Sequence, residues 1–362
     1  MAAQPFLRAS YETGPCLDWL TGRDDVLAVF EFGRSPLDSV EPRHVPVALR
    51  QLGSPPQAEV WRCEGPIKTG TWDGLRFAQG EQLTMGHIAI DMRRQPGMRE
   101  ASRLAYDLLQ SYLQQAPHHW PLKIWNYIPA INQGAGDEEC YRQFCLGRAD
   151  SVLIEPGDRP PLPAATAIGT PGEEPALQVY FLAGALPGLD VENPRQVNAW
   201  RYPRQYGPRS PLFSRGTILR LNGSHQFLIS GTASILGHRT QHENQVDSQM
   251  SESLRNVDSL LEEGHRLTGN DPDRLDRDGI LKVYVRHPED LDRIQKTLAA
   301  EAPTDIPLIY LRGDICRENL LTEVDGLDRG EVVPGLDHEG PRDTAFGDDE
   351  RSGVDRQGKF SH

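Results

Sequence analysis

Little in this sequence serves to cross-link a protein, anchor it in a membrane or attract polyanions. Five cysteines (Cys16, Cys63, Cys140, Cys145, Cys316) in 362 residues are odd in number, scattered and never spaced as CxxC, which excludes a disulfide framework or a zinc ribbon. No apolar run approaches the roughly 18 residues of a membrane-spanning helix. The opening MAAQPFLRASYETG lacks a basic segment leading into an apolar one, so no secretion signal is expected. A reducing cytoplasm is the expected setting. Basic residues are also short, with 38 Lys and Arg against 52 Asp and Glu and a net charge of −14. With no Lys/Arg cluster, a nucleic-acid partner is not expected. An anionic ligand would have to be held by a local group of arginines.

What the sequence does have is proline and glycine, placed unevenly. Residues 328–362 hold six glycines and nine acids with few apolar residues, the composition of a disordered acidic tail. Residues 156–175 hold six prolines and read as a Pro-rich crossover between two halves, 1–155 and 176–327.

A pattern recurs on either side of that crossover. Asp73-Gly74 is a hairpin turn between short apolar strands, and Asn222-Gly223 is another. A glycine follows each (Gly80, Gly231), then a helix. Ala101, Leu104, Ala105, Leu108 and Tyr112 share one face of the first helix; Val246, Met250, Leu254, Val257 and Leu261 share one face of the second. Gly264 suits the position just past the second helix. Apolar strands come next, Leu122–Ile128 and Leu281–Val285. With the turns 149 positions apart and the glycines 151, the spacing predicts a duplicated α+β unit, mixed sheets with helices packed on one face.

Several motif-like groups are weaker. His238, His242 and Glu243 imitate a helical metal pair in the wrong order and without a third ligand, and the acids Asp271, Asp273, Asp276 and Asp278 lack calcium-loop spacing. No metal is expected. Residues 132–136 (NQGAG) fit neither dinucleotide nor P-loop spacing.

The stretches FLISGTASILGH (227–238), RNVDSLLEEG (255–264), LKVYVRHPEDLDRI (281–294) and LLTEVDG (320–326) make the second half resemble the YjgF/RidA family. That resemblance implies a RidA-like unit in each half and a working carboxylate at Glu323. The first half is then a degenerate copy. Over a longer span, WNYIPAIN (125–132), YRQFCLGRADSV (141–152), LPAATAIGT (162–170), RYPRQYGPRSPLFSRG (201–216) and SGTASILGHRTQHEN (230–244) together resemble the chorismatase family. This implies chorismate as the small-molecule substrate, pyruvate as one product, and neither metal nor organic cofactor. Members that form 3-hydroxybenzoate resemble this chain in carrying SGTAS and a cysteine seven residues before the glutamate, here Gly231 and Cys316. Hydrolytic members carry SATAS and no such cysteine. RidA-like proteins are commonly trimers, but a duplication buries surfaces that single units share, so either a monomer or a homotrimer is expected.

Chorismate is a dianion with an enol ether. Splitting it begins with protonation of the ether's methylene carbon, for which Glu323 is the candidate general acid if its surroundings keep it neutral. Cys316 is the candidate nucleophile or proton relay. Gly231 would leave room beside the ring. Arg148 and Arg215 are the first candidates to hold the carboxylates, with Arg201, Arg204 and Arg209 competing, and Tyr141 and Tyr206 as hydrogen-bond donors. The alternatives are a hydrolytic chorismatase, a non-catalytic ligand-binding protein of the same fold, and a deaminase of enamines.

Overall fold

A computed structural model of the chain describes residues 6–14, 20, 22–38, 41–53, 55–151, 161–170, 174–221, 224–269, 279–302 and 306–328. The acidic tail beyond Asp328, Cys16, the Asn222-Gly223 turn and the acids at 271–278 lie outside the described residues. Among those described, no helix is long and apolar enough to cross a membrane.

The chain opens with β1 (Leu7–Glu12), β2 (Val26–Phe32), β3 (His44–Val47), β4 (Gln51–Leu52) and β5 (Ala58–Cys63). All but β4 form a sheet in the order β1-β5-β2-β3, which the sequence analysis does not anticipate. There follow β6 (Lys68–Trp72), β7 (Leu75–Gln79), β8 (Leu83–Asp91), α1 (Met98–Leu113), β9 (Trp120–Pro129), α2 (Cys140–Ser151), β10 (Ala164–Thr170) and β11 (Ala176–Gly184). The last part comprises β12 (Leu189–Val191), β13 (Gly216–Leu221), β14 (Ser224–Ala233), β15 (Ile235–Leu236), β16 (Arg239–Thr240), α3 (Val246–Thr268), β17 (Ile280–Val285), α4 (Leu291–Glu301), β18 (Leu308–Arg312), β19 (Asp314–Ile315) and β20 (Thr322–Asp328).

Two seven-stranded sheets carry the duplication. Their orders, β6-β7-β8-β11-β9-β10-β19 and β12-β13-β14-β20-β17-β18-β4, match strand for strand. In each, the inner pairs are antiparallel except one parallel pair, β9 with β10 and β17 with β18. The α+β duplication is therefore real, but its register differs from the sequence reading. Positions 222–223 fall between β13 and β14, and the counterpart of that connection is the one between β7 and β8. Asp73-Gly74 joins β6 to β7, one hairpin earlier, with the positive φ angles of 46° and 88° that its composition demands. Recurrence of turn chemistry alone aligned the wrong hairpins. The first sheet also runs through β10 and β11, so residues 164–170 of the presumed crossover are a strand; the sheet continues past 155 to Gly184 and takes its edge strand β19 from residues 314–315.

Two helix assignments also shift. The α3 helix runs on to Thr268 and is closed by Gly269 in the left-handed region. Gly264 lies inside it, where a Cβ would come within 2.5 Å of the Phe227 ring. On α1 the buried face centres on Ala101, Ala105, Leu109 and Tyr112, while Leu104 and Leu108 are only partly buried.

The helices cover the outer faces, α1 and α2 on the first sheet and α3 and α4 on the second. The helix-free faces turn inward toward a shared core that also takes in the first small sheet. That interior is not wholly apolar. Asp325 Oδ2 accepts from Trp125 Nε1 at 3.0 Å, Thr166 Oγ1 at 2.7 Å and Tyr284 OH at 3.1 Å. Its Oδ1 faces Lys123 Nζ at 3.9 Å and Lys282 Nζ at 3.7 Å. Lys282 also donates to Glu59 at 3.1 Å, and Trp61 donates to the same oxygen at 2.6 Å. Two carboxylates and two ammonium groups are thus buried among aromatic rings, paired closely enough to offset part of their lost hydration. Lys282→Met would leave Glu59 and Asp325 short of a cation and is expected to cost about 3–5 kcal/mol. Urea unfolding of the two proteins would test this; a loss below about 1 kcal/mol would show that the cluster is not energetically coupled.

Candidate active site

A cleft of about 1170 Å³ opens where the two sheets meet, lined by residues of both units. β10 crosses β13 and β14 at its floor: the Ala164 amide donates to Thr217 Oγ1 at 2.8 Å and the Ala165 amide to Ser230 Oγ at 2.9 Å.

Glu323 stands on β20, between β14 and β17, opposite Ala233 and Tyr284. Alternation puts Glu323, Asp325 and Leu327 on the inner face while Val324 packs under the helices. The Glu323 side chain lines the cleft, only 4% of the residue is exposed, and among the described residues its carboxyl makes no hydrogen bond. Burial, then the charge of Asp325, push it up to about 8, against the opposing pull of Arg215. A carboxyl so placed is an acid at neutral pH.

Gly231 lies directly beneath it. The bulge between Ile229 and Thr232 turns β14 here, and a Cβ at Gly231 would sit 2.0 Å from Glu323 Oε1. The space that glycine leaves is thus filled by the acid's own carboxyl, not held open for a ligand. A side chain at this position would move the acid.

The loop before β20 brings Cys316 and Arg317. Arg286, at the end of β17, pins it with donations to the carbonyls of Ile315 at 3.0 Å, Arg317 at 2.9 Å and Leu320 at 2.7 Å. Gln249 of α3 secures its far side, donating to the Asn319 carbonyl at 2.9 Å. Burial and nearby Glu323 raise the Cys316 thiol to about 12, so the field opposes a thiolate, contrary to the condition set for a nucleophile.

α2 supplies Tyr141, Cys145 and Arg148. It approaches α1 so closely that a Cβ at Gly147 would meet the Arg99 carbonyl oxygen at 2.0 Å, and Ser102 Oγ donates to the Phe144 carbonyl at 2.9 Å. Arg148 is buried with its guanidinium 4.7 Å from the centre of the Tyr106 ring and its Nε unpartnered. Tyr141 hydrogen-bonds Cys145, and burial first, then the nearby Cys145, Cys316 and Glu323, raise its hydroxyl.

Arg215, also buried, donates to Val197 O at 2.9 Å and Tyr202 OH at 2.7 Å, leaving Nε unpartnered. Tyr206 lines the cleft with its OH 3.3 Å from His238 Nδ1. All seven residues singled out in the sequence therefore converge here. Arg201, Arg204 and Arg209 do not: they are exposed and outside the lining, with Arg204 paired to Asp137 at 2.6 Å. The sequence analysis missed Arg317, whose guanidinium stacks 3.9 Å from the centre of the Tyr206 ring and keeps a buried, unpartnered nitrogen. Its adjacency to Cys316 was the available signal. Among the described residues no three His, Cys, Asp or Glu side chains come together as metal ligands.

This arrangement can be set beside known proteins. Residues 59–183 match the family model described as chorismatase FkbO/Hyg5-like, N-terminal. A 3-hydroxybenzoate synthase of Streptomyces hygroscopicus is 34% identical over 284 residues, spanning 75% of this chain and 81% of the relative. The chain belongs to the chorismatase family. A chorismatase of Streptomyces rapamycinicus is likewise 34% identical, over 75% of this chain and 81% of its own length. A chorismatase crystal structure superposes with a TM-score of 0.79 at 30% identity, covering 91% of this chain and all of that one. The duplicated sheets and the cleft between them are thus a chorismatase framework.

The raised thiol can be checked directly. At pH 8 a thiol near 12 has about a thousandfold less thiolate than an ordinary one near 9. Alkylation of Cys316 by iodoacetamide, followed by peptide mass spectrometry, should therefore be slower than that of free cysteine by about this factor.

Proposed function

We propose that this chain is a chorismatase that converts chorismate to pyruvate and 3-hydroxybenzoate, with Glu323 as the general acid. The observation carrying this reading is a buried, neutral carboxyl facing a cleft that also holds unpaired arginine N–H groups.

The Glu323 proton passes to the methylene carbon of the enol ether, whose π electrons form the new C–H bond. The resulting oxocarbenium weakens the bond from the ether oxygen to the ring. As that bond breaks, its electrons stay on oxygen and pyruvate leaves as the ketone. The neighbouring ring hydroxyl attacks the vacated carbon and returns its proton to the Glu323 carboxylate. The epoxide then opens and the ring loses a C–H proton to become aromatic. The atoms of chorismate equal those of the two products, so no water is consumed. Arg215, whose charge reaches Glu323, suits the carboxylate beside the reacting carbon, and Arg148 the ring carboxylate. Tyr141 and Tyr206 offer hydroxyl donors at the walls.

Cys316, held as a thiol, fits a proton relay during opening of the epoxide. Gly231 sets where Glu323 stands, which decides whether the acid or a water reaches the ring hydroxyl's side. A hydrolytic outcome is the competing reading, and Gly231 and Cys316 are the features that favour the aromatising one.

Glu323→Gln is expected to fold and to lose about 10²–10⁴-fold in kcat, followed by pyruvate release. Because the acid form is required and the carboxyl sits near 8, activity should be flat below that pH and fall tenfold per unit above it. Stability has the same origin. Glu323 binds its proton more tightly folded than unfolded, so its contribution is complete below about 4.5 and is lost as pH rises through about 8. Thermal unfolding of Glu323→Gln should lack that dependence. The Gly231→Ala/Cys316→Ala double variant should shift product from 3-hydroxybenzoate toward the dihydrodiol, seen by chromatography; unchanged product would overturn the partition argument.

A further inference from the structure

Beneath the cleft floor lies a charged group that the chemistry above does not touch. Asp325 follows Glu323 by two positions on β20, so both side chains point into the space between the sheets. One side chain bridges them. Thr166 donates to Asp325 Oδ2 at 2.7 Å, while its methyl lies 3.3 Å from the Cβ position of Gly231, the spot against which the Glu323 carboxyl rests. Oδ2 accepts three hydrogen bonds, from Trp125, Thr166 and Tyr284, which leaves it no place for a proton of its own. Oδ1 has no hydrogen-bond partner and faces two ammonium groups. Three donors and two ammonium groups thus surround this one carboxyl group.

We propose that Asp325 is a positioning residue for the reaction: a fixed buried carboxylate that, through its field, keeps the Glu323 carboxyl protonated and ready to donate. A second negative charge is costly beside it in a dry interior, so Glu323 holds its proton into the range where the enzyme works. The lysines face Oδ1, the oxygen that Thr166 does not touch, and neither is among the charges that act on Glu323. This inference rests on Glu323 being the acid.

The groups facing this pair are few. From β9 come Lys123 and Tyr127, from β17 Lys282 and Tyr284, from β11 Tyr180, from β5 Glu59 and from β1 Tyr11. On the cleft side stand Arg215, Tyr141 and Cys316. Burial dominates the tyrosines and Cys316 and moves each upward. Lys123 is the exception: burial lowers it to about 8, so its titration overlaps that of Glu323 and has to be separated from it.

The test is the pH profile of kcat/KM for pyruvate release. Asp325→Asn should move the basic limb down by about 1 pH unit, with severalfold loss at pH 8 and recovery at pH 6. Tyr284→Phe removes a hydrogen bond to the same carboxylate but keeps the charge, so its limb should stay in place. Lys123→Met should also leave a basic limb, since Glu323 and not the lysine sets it. If Asp325→Asn does not fold, Asp325→Asn/Lys282→Met removes one charge of each sign and should show the same downward shift. A basic limb unmoved in a folded Asp325→Asn protein, or a loss of activity equal at every pH, would overturn the inference while leaving Glu323 as the acid. Full activity in Glu323→Gln would instead remove the reading on which it rests.

Discussion

The proposed chemistry depends on keeping one carboxyl uncharged in the middle of a β-sheet. Burial alone raises a carboxylic acid, but a buried acid that finds a cation or a set of N–H donors ionises again. Here, among the described residues, no hydrogen bond reaches the Glu323 carboxyl, and the pull of Arg215 offsets only part of the rise. Arg215 turns one nitrogen to Val197 and Tyr202, and Arg286 is spent on the carbonyls of the following loop. Its neighbour on the strand, Asp325, takes the donors of Trp125, Thr166 and Tyr284 and adds repulsion. Fold and chemistry are therefore joined at β20: the alternation that makes this strand also sets the two carboxylates side by side.

Among the described residues, the duplication accounts for the placing of this carboxyl in the second unit alone. Under the strand-for-strand match of the two large sheets, Lys123 and Lys282 stand at equivalent places, as do Trp125 and Tyr284. Trp125 pairs with Tyr180 on β11, and Tyr284 pairs with Glu323 on β20. Where the second unit has its acid, the first has a tyrosine whose ring stacks on Trp125 at 4.7 Å. The first unit has turned the equivalent position into core. It contributes to the cleft through α2 instead, with Arg148, Cys145 and Tyr141.

Much of this was legible in the residues. The α+β duplication, both long helices and the seven converging residues follow from turn chemistry, helical periodicity and family motifs. The failures have physical causes. Two Asx-Gly turns look alike wherever they fall, so their recurrence could not say which hairpin matches which. Prolines at 156–175 hid β10, because a parallel strand of small residues (Ala164–Thr170) carries no alternation once both its faces are covered. The exposed arginines of 201–209 looked equivalent to Arg215, for spacing in a loop says nothing about which side chain turns inward. The ionic interior did leave a trace. Leu122-Lys123-Ile124 and Leu281-Lys282-Val283 each set a lysine within an apolar strand, and a buried lysine needs a buried carboxylate.

The way the cleft is shared has a consequence for how such a protein can change. Its acid belongs to one repeat and its α2 arginine to the other, so neither repeat retains a working pocket if separated. Ancestral repeats of this kind could have met across a subunit boundary. Once the copies were fused and had specialised, a return to independent single-repeat subunits would strand each half of the chemistry. Fusion thus acts as a ratchet.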